Sequence, residues 1–209
     1  MIDSFLSDTG LLLERGGYVM IPLLILSIAS LALILERCWF WLMVDGRASA
    51  RRLEELNGAL RRGDNESVRR LVRRDGSPCG EVASTMLDHG ASDAVAMEAV
   101  EMQRPRIDRF MVALSTIITA APLLGILGTV VGIIQSFRLL GEQAALSDPT
   151  DVAGGIAAAL ITTAFGLIIA LVTLFPYMLF RSWSSRAIGR LETLIAAAQQ
   201  GLGEEGDET

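Results

Sequence analysis

The side chains able to do chemistry in this 209-residue chain are hydroxyls set among small residues inside charge-free runs. No charged residue occurs from Phe110 to Phe137, yet that run holds Pro122, Gly125, Gly128, Thr129 and Gly132 where a plain lipid anchor would carry leucine. On a helix turning 100° per residue, Ser115, Pro122, Thr129 and Ser136 recur at intervals of seven and drift by only about 20° each time. Thr119 falls within about 40° of Ser115. One stripe therefore carries the hydroxyls and the proline. Gly128 and Gly132 form a G-x-x-x-G pair, which a neighbouring helix can approach closely.

The run from Val152 to Phe180 repeats the theme. An arc of roughly 100° holds Gly155, Ala159, Thr162, Thr163, Gly166, Ala170 and Thr173, while Leu160, Ile161, Phe165, Leu167, Ile168, Leu171 and Val172 point elsewhere. Two arrangements meet this pattern: close helix packing, for which small residues are the usual material, and a polar-lined passage. Intramembrane proton relays use carboxylates or histidines, and no Asp, Glu, Lys, Arg or His lies in either run. If protons move here, the titrating group must come from another chain, and the threonine hydroxyls can only orient water or receive that group. The sequence holds no phosphate-binding glycine loop, no nucleophile–base pair and no cluster of metal ligands, so neither an enzyme nor a bound metal or cofactor is expected.

These residues need long helices to position them. A hydrocarbon core ~30 Å thick takes about 20 apolar helical residues, and a third charge-free run extends from Gly16 to Leu35 before Glu36-Arg37. The expected fold is an all-α membrane protein. Residues 1–15 form an external interfacial helix through Ile2, Phe5, Leu6 and Leu11–Leu13; the first 14 residues lack the basic segment of a signal peptide. Spans follow at 16–44, 110–137 and 152–180, with the second and third extended. A helical cytoplasmic segment fills 45–109, an external loop 138–151, and a cytoplasmic helix with an acidic tail 181–209.

Charge sets the orientation. The basic residues number 18, all of them arginine, against 24 acidic ones. Twelve arginines fall between residues 38 and 109, and Arg181, Arg186 and Arg190 follow the third run, whereas the loop between the second and third runs has only Arg138. The excess of basic residues on cytoplasmic loops places the middle segment and C-terminus inside and the N-terminus outside. The paired arginines 51/52, 61/62, 69/70 and 73/74 are interleaved with Glu54, Glu55, Asp64 and Glu66, which reads as a solvated face, not a nucleic-acid site. Leu53, Leu56 and Leu60, then Val68, Leu71 and Val72, then Val82, Met86 and Leu87 recur at helical spacing. Gly63-Asp64 and Gly76-Ser77-Pro78 break them. Asp93 is expected to cap a last helix running from Ala94 into the second span, with Pro105 a local irregularity. Cys38 and Cys79 are expected as free thiols, and His89 as solvated.

Pro122-Leu-Leu-Gly125-Ile-Leu-Gly128-Thr129-Val-Val-Gly132, followed by Ser136-Phe137, resembles the second-helix signature of the MotA/TolQ/ExbB proton channel family. Gly155-Ile-Ala-Ala-Ala-Leu160-Ile-Thr162-Thr163-Ala-Phe-Gly166 resembles its third-helix signature, and Glu36-Arg37 and the order of helices match as well. The resemblance implies a bacterial inner-membrane protein, a homopentamer whose second and third helices form a collar around a single-span ExbD-, TolR- or MotB-like partner. That partner would supply the protonatable aspartate, and ion entry would drive mechanical work on the envelope. By matched position, Thr129 and Thr163 would face the aspartate, with Thr162, Thr119, Ala158, Ala170 and Thr173 along the path. Pro122, Gly125, Gly128, Gly132, Gly155, Gly166 and Pro176 would serve packing and bending. Two positions depart from the pattern. Ala158 stands where ExbB and TolQ relatives often carry an acid, and Pro176 is placed as in MotA, whereas an ExbB-type proline would fall at Val172. A membrane scaffold with packing-only faces and a sodium-driven version of the motor fit the same residues.

Overall fold

The computed structural model describes residues 18–44, 47–73, 75–142 and 149–203. The expected interfacial helix at 1–15, residues 143–148 of the expected loop at 138–151 and the acidic end of the tail lie outside the described residues; the rest of that loop is helical and belongs to the two flanking helices. Those described form seven helices and no strand: α1 (Met20–Val44), α2 (Arg47–Arg61), α3 (Asn65–Val72), α4 (Pro78–His89), α5 (Asp93–Ile107), α6 (Met111–Glu142) and α7 (Pro149–Gly203). Within α1, α6 and α7, the stretches Met20–Val44, Met111–Arg138 and Ala153–Gly201 are long and apolar enough to cross a membrane. At 1.5 Å per residue, the 55 residues of α7 extend about 80 Å, well beyond a bilayer core.

Two compact units divide the chain, 18–35 with 112–178 and 36–111 with 179–203. In the first, α1 lies against α6 and α7 through a core of Met20, Leu23, Ile117, Ala121 and Ile169, with Leu26, Leu124 and Phe165 packed around it.

The second unit is a bundle of short helices with the last part of α7, closed around Leu56, Leu60, Val68, Val82, Met86, Leu191 and Leu194, all buried. Its helices start where the backbone donors find oxygens. Asp64 accepts from the Ser67 amide at 3.0 Å and Ser77 from the Gly80 amide at 3.3 Å, with Pro78 in the first helical turn, where its missing N–H costs nothing. Gly63 reverses the chain between α2 and α3 at φ +65°, a conformation that favours glycine. Ser92, one residue before the expected cap, accepts from the Val95 amide, because its extended backbone aims the hydroxyl at the helix end. Asp93 instead accepts from Gln199 of α7 at 2.7 Å.

The expected continuous helix from Ala94 into the second span is broken. Helix α5 ends at Ile107, and α6 begins at Met111 after Phe110 takes φ +64°, rare for a bulky residue. Arg37, only 1% exposed, holds this turn. Its guanidinium donates to the Arg106 and Ile107 carbonyls at 3.3 Å, to both Glu36 oxygens at 2.7 and 3.1 Å, and lies 4.3 Å from the Phe40 ring centroid. A cation at the end of a helix meets carbonyls that have no intrahelical donor and the negative end of the helix dipole. Ser184 donates a short hydrogen bond to Asp108 in the same turn. Cys38 and Cys79 are free thiols, and His89 is exposed.

Candidate functional site

The site begins with the seam between α6 and α7. A methyl group placed on Gly125 would lie 2.9 Å from the Thr163 Cα, and one on Gly132 would lie 2.6 Å from the Ala159 Cβ. One on Gly128 would fall on the Thr162 side chain, one on Gly155 on the Ser136 hydroxyl, and one on Gly166 on the Ala121 carbonyl. The partners run in opposite directions along the two helices, 121 with 166, 125 with 163, 128 with 162, 132 with 159 and 136 with 155. The glycines of each span are thus the sockets for the small residues of the other. Nothing larger than Thr fits at the backbone separation they set.

This seam consumes much of the expected polar arc. Thr162 and Thr173 have no exposed surface, and their hydroxyls return to the Ala159 and Ile169 carbonyls of their own helix at 2.6 and 2.7 Å. Ala170, Gly125, Gly128 and Gly166 are buried with them, and Ser136 is closed off against Gly155. Gly132, Gly155, Pro122 and Pro176 are half-buried. A threonine bonded to its own helix and sealed in van der Waals contact has no hydroxyl to offer a passing ion.

Three of the expected hydroxyls, those of Thr163, Thr129 and Thr119, lie outside the sealed part of the seam. Thr163 is half-buried and donates across the seam to the Gly125 carbonyl at 2.7 Å. Thr129 is half-buried and donates to the Ile126 carbonyl at 2.7 Å. Thr119 is exposed and donates to the Thr116 carbonyl at 2.9 Å. By helix periodicity Ser115, Pro122 and Thr129 are centred about 80° around α6 from the seam. They lie on the side away from Ile117 and Leu124, which pack with α1. Thr163 likewise sits on the side of α7 opposite Phe165 and Ile169, which face α1. Both threonines therefore border the same face of the helix pair. Ala158, half-buried, is about 140° from Thr163 around α7 and belongs to the α1 side, so it is not brought together with them.

What this flank can do follows from its groups. Each hydroxyl donates its proton to a backbone carbonyl and keeps lone pairs free, so it can accept from water or from a protonated carboxyl. It has no group of its own to titrate. Among the described residues no cluster of His, Cys, Asp or Glu could hold a metal. The Thr163 bond also stiffens the pairing, since the hydroxyl links the two spans across the seam.

Sequence reasoning left the role of Arg37 unread. A lone Glu-Arg pair late in an apolar helix is ambiguous, because its partners, the carbonyls of residues 106 and 107, lie far away in the chain.

The profile of the MotA/TolQ/ExbB proton channel family matches residues 64–193, which include both spans of the seam. The chain is 34% identical over 174 residues to putative biopolymer transport protein ExbB-like 3 of Synechocystis, covering 80% of this chain and 82% of that protein. It is 36% identical over 199 residues to ExbB-like 1 of the same organism, covering 87% and 75%. A shorter match, 38% over 97 residues, covers 46% of this chain and 41% of the Tol-Pal system protein TolQ of Pseudomonas aeruginosa.

Proposed function

Because the chain belongs to the MotA/TolQ/ExbB proton channel family, we propose that this multi-pass membrane protein is the channel-forming subunit of a proton-driven motor acting on the cell envelope. Its copies, five in this reading, present the Thr129–Thr163 flank of α6 and α7 inward, around the single span of an ExbD/TolR/MotB-like partner. The partner contributes the carboxylate that these spans lack. Protonation of that carboxylate neutralises it, and the hydroxyls of Thr129 and Thr163 accept its hydrogen bond as it passes; release on the other side restores the charge and the cycle. The arginine-rich 45–109 segment and the C-terminal helix lie in the cytoplasm of a bacterial inner membrane, with the N-terminus and the 138–151 loop on the other face. A single observation carries this reading: the face of the helix pair left open by α1 bears hydroxyls and no Asp, Glu, His, Lys or Arg.

The test is proton flux in vesicles holding this chain with its partner under an imposed gradient. Thr129→Val and Thr163→Val should each lower partner-dependent acidification at least about tenfold while assembly persists. Flux unchanged in both variants, or flux without any single-span partner, would overturn the assignment.

A further inference from the structure

Pro122 interrupts the hydrogen bonding of α6 on the face that α1 leaves open. In a helix the carbonyl of residue 118 accepts from the amide of residue 122. Proline has no amide hydrogen, and its ring pushes that carbonyl outward, so Ile118 loses its helical donor. Hydroxyls one turn away fill such gaps in many membrane helices, but here they are committed elsewhere. Ser115 donates to the Val112 carbonyl at 2.9 Å and Thr116 to the same carbonyl at 2.8 Å. Thr119 donates to the Thr116 and Ser115 carbonyls at 2.9 and 3.2 Å. Across the seam, Thr163 is committed to Gly125. No side chain among the described residues donates to the Ile118 carbonyl.

The gap lies within the apolar span. At 1.5 Å per residue it is about 13 Å from Met111 and about 27 Å from Arg138, the two ends of that span. Hydrocarbon supplies no donor, so a backbone oxygen at this depth has to find one elsewhere. The seam side is closed by Gly166, which packs on the neighbouring Ala121 carbonyl. The donor must therefore come from the open side. Two acceptors stand together there, the Ile118 carbonyl and the Thr119 oxygen, whose proton is already given away and whose lone pairs are free. Water answers both with its two hydrogens, whereas a carboxyl group has only one to give. Pro176 makes the same kind of gap at the Val172 carbonyl, but Val172 is about 180° around α7 from Thr163 and does not bear on this flank.

We propose that the Ile118 carbonyl and the Thr119 hydroxyl hold a water molecule on the open flank of α6, about 13 Å along the helix from Thr129. Its role rests on the proton-path reading. With both hydrogens given to acceptors, the water keeps its lone pairs for the path and accepts, through intervening water, the proton that the partner's carboxyl releases. The carboxyl O–H bond breaks and its electron pair stays on the carboxylate. The held water becomes a hydronium ion, passes a proton to the next water and is restored. A surrounding of acceptors without donors favours the protonated form.

The experiment reads the water and its role separately. In hydroxyl-radical footprinting by synchrotron pulses, a bound water labels the side chains beside it. With the full-length chain and its partner in detergent, Ile118 should be labelled at least about tenfold faster than Ile28 and Leu31, which are exposed on α1. Two replacements separate the carbonyl from the proline ring. Pro122→Ala returns the amide donor and should cut labelling of Ile118 at least about fivefold. Lactic acid in place of Pro122 makes the linkage an ester with neither ring nor N–H, and should keep labelling within about twofold. Should Pro122→Ala fail to assemble, Thr119→Val, which removes the second acceptor, is compared with Thr119→Ser, which keeps it; labelling should fall in the first and return in the second. Partner-dependent proton flux in vesicles should follow the same order. An unlabelled Ile118 in the parent, labelling that survives Pro122→Ala, or equal loss with alanine and with lactic acid would each overturn the site. Normal parent flux that Pro122→Ala leaves unchanged would overturn the role. A labelled Ile118 in a chain without partner-dependent flux would refute the motor reading and leave the water site standing.

Discussion

The seam between α6 and α7 makes a quantitative demand at Gly132. An added methyl group would sit 2.6 Å from the Ala159 Cβ, where carbon atoms prefer 3.5–4.0 Å, so the helices would have to part by about 1 Å. Overpacking of this size costs about 1–3 kcal/mol. Alanine returns some of that, because it is a better helix former than glycine by about 0.8–1.0 kcal/mol. Gly132→Ala should therefore destabilise by about 1 kcal/mol net, although on propensity alone it would stabilise. The partner change tests the cause. Ala159→Gly removes the opposing methyl group, so the double variant Gly132→Ala with Ala159→Gly should recover the lost packing. Thermal or SDS-titration unfolding in detergent, read as a double-mutant cycle, should give a favourable coupling of about 1–2 kcal/mol. Gly154→Ala, where a methyl group meets nothing within 4 Å, is the control and should be neutral to stabilising. A neutral Gly132→Ala together with coupling near zero would refute the socket description of the seam.

Three further expectations follow from other parts of the structure. Arg37→Ala removes the cation from the end of α5 and leaves its carbonyls and Glu36 without their donors; a loss of about 2–4 kcal/mol in unfolding is expected, with Arg37→Lys recovering only part because it lacks the planar fork. Thr162→Val and Thr173→Val should leave partner-dependent proton flux within about twofold of the parent, since their hydroxyls are sealed and satisfied within α7; a tenfold loss in either would place them on the path after all. Cys79 should alkylate slowly, because burial first and the Asp75 carboxylate second push its thiol up to about 11 from an ordinary value near 9.0. At pH 8 its thiolate fraction is about 100-fold below that of an unperturbed thiol, and the rate should climb about tenfold per pH unit until pH approaches 11. Iodoacetamide labelling across pH 7–10 measures this, and a rate matching an exposed cysteine would contradict the burial.

Much of this protein is written locally. Runs free of charge announce three helices able to span a membrane, because a bilayer tolerates no unpaired charge and leaves length as the main variable. The same runs establish that no Asp, Glu, Lys, Arg or His stands between Phe110 and Phe137 or between Val152 and Phe180. The breaks at Gly63-Asp64 and Gly76-Ser77-Pro78 were equally visible, since turns and helix ends depend on one or two neighbouring residues.

Other features required the fold. The small-residue arc on α7 was legible as a face, but which part of it packs and which part stays open depends on where α1 lies. Thr162 and Thr163 are adjacent in sequence and differ by about 100° around the helix; that difference seals one hydroxyl and leaves the other at the flank with Thr129. The break at Phe110 was hidden for a similar reason, because Arg37 and Ser184, which hold that turn, are remote in the chain. The sequence alone determined what this protein carries through the membrane, hydroxyls and no acid, since composition is a local property. The tertiary structure decided which hydroxyls are available, since exposure belongs to the packing of helices brought together from distant parts of the chain.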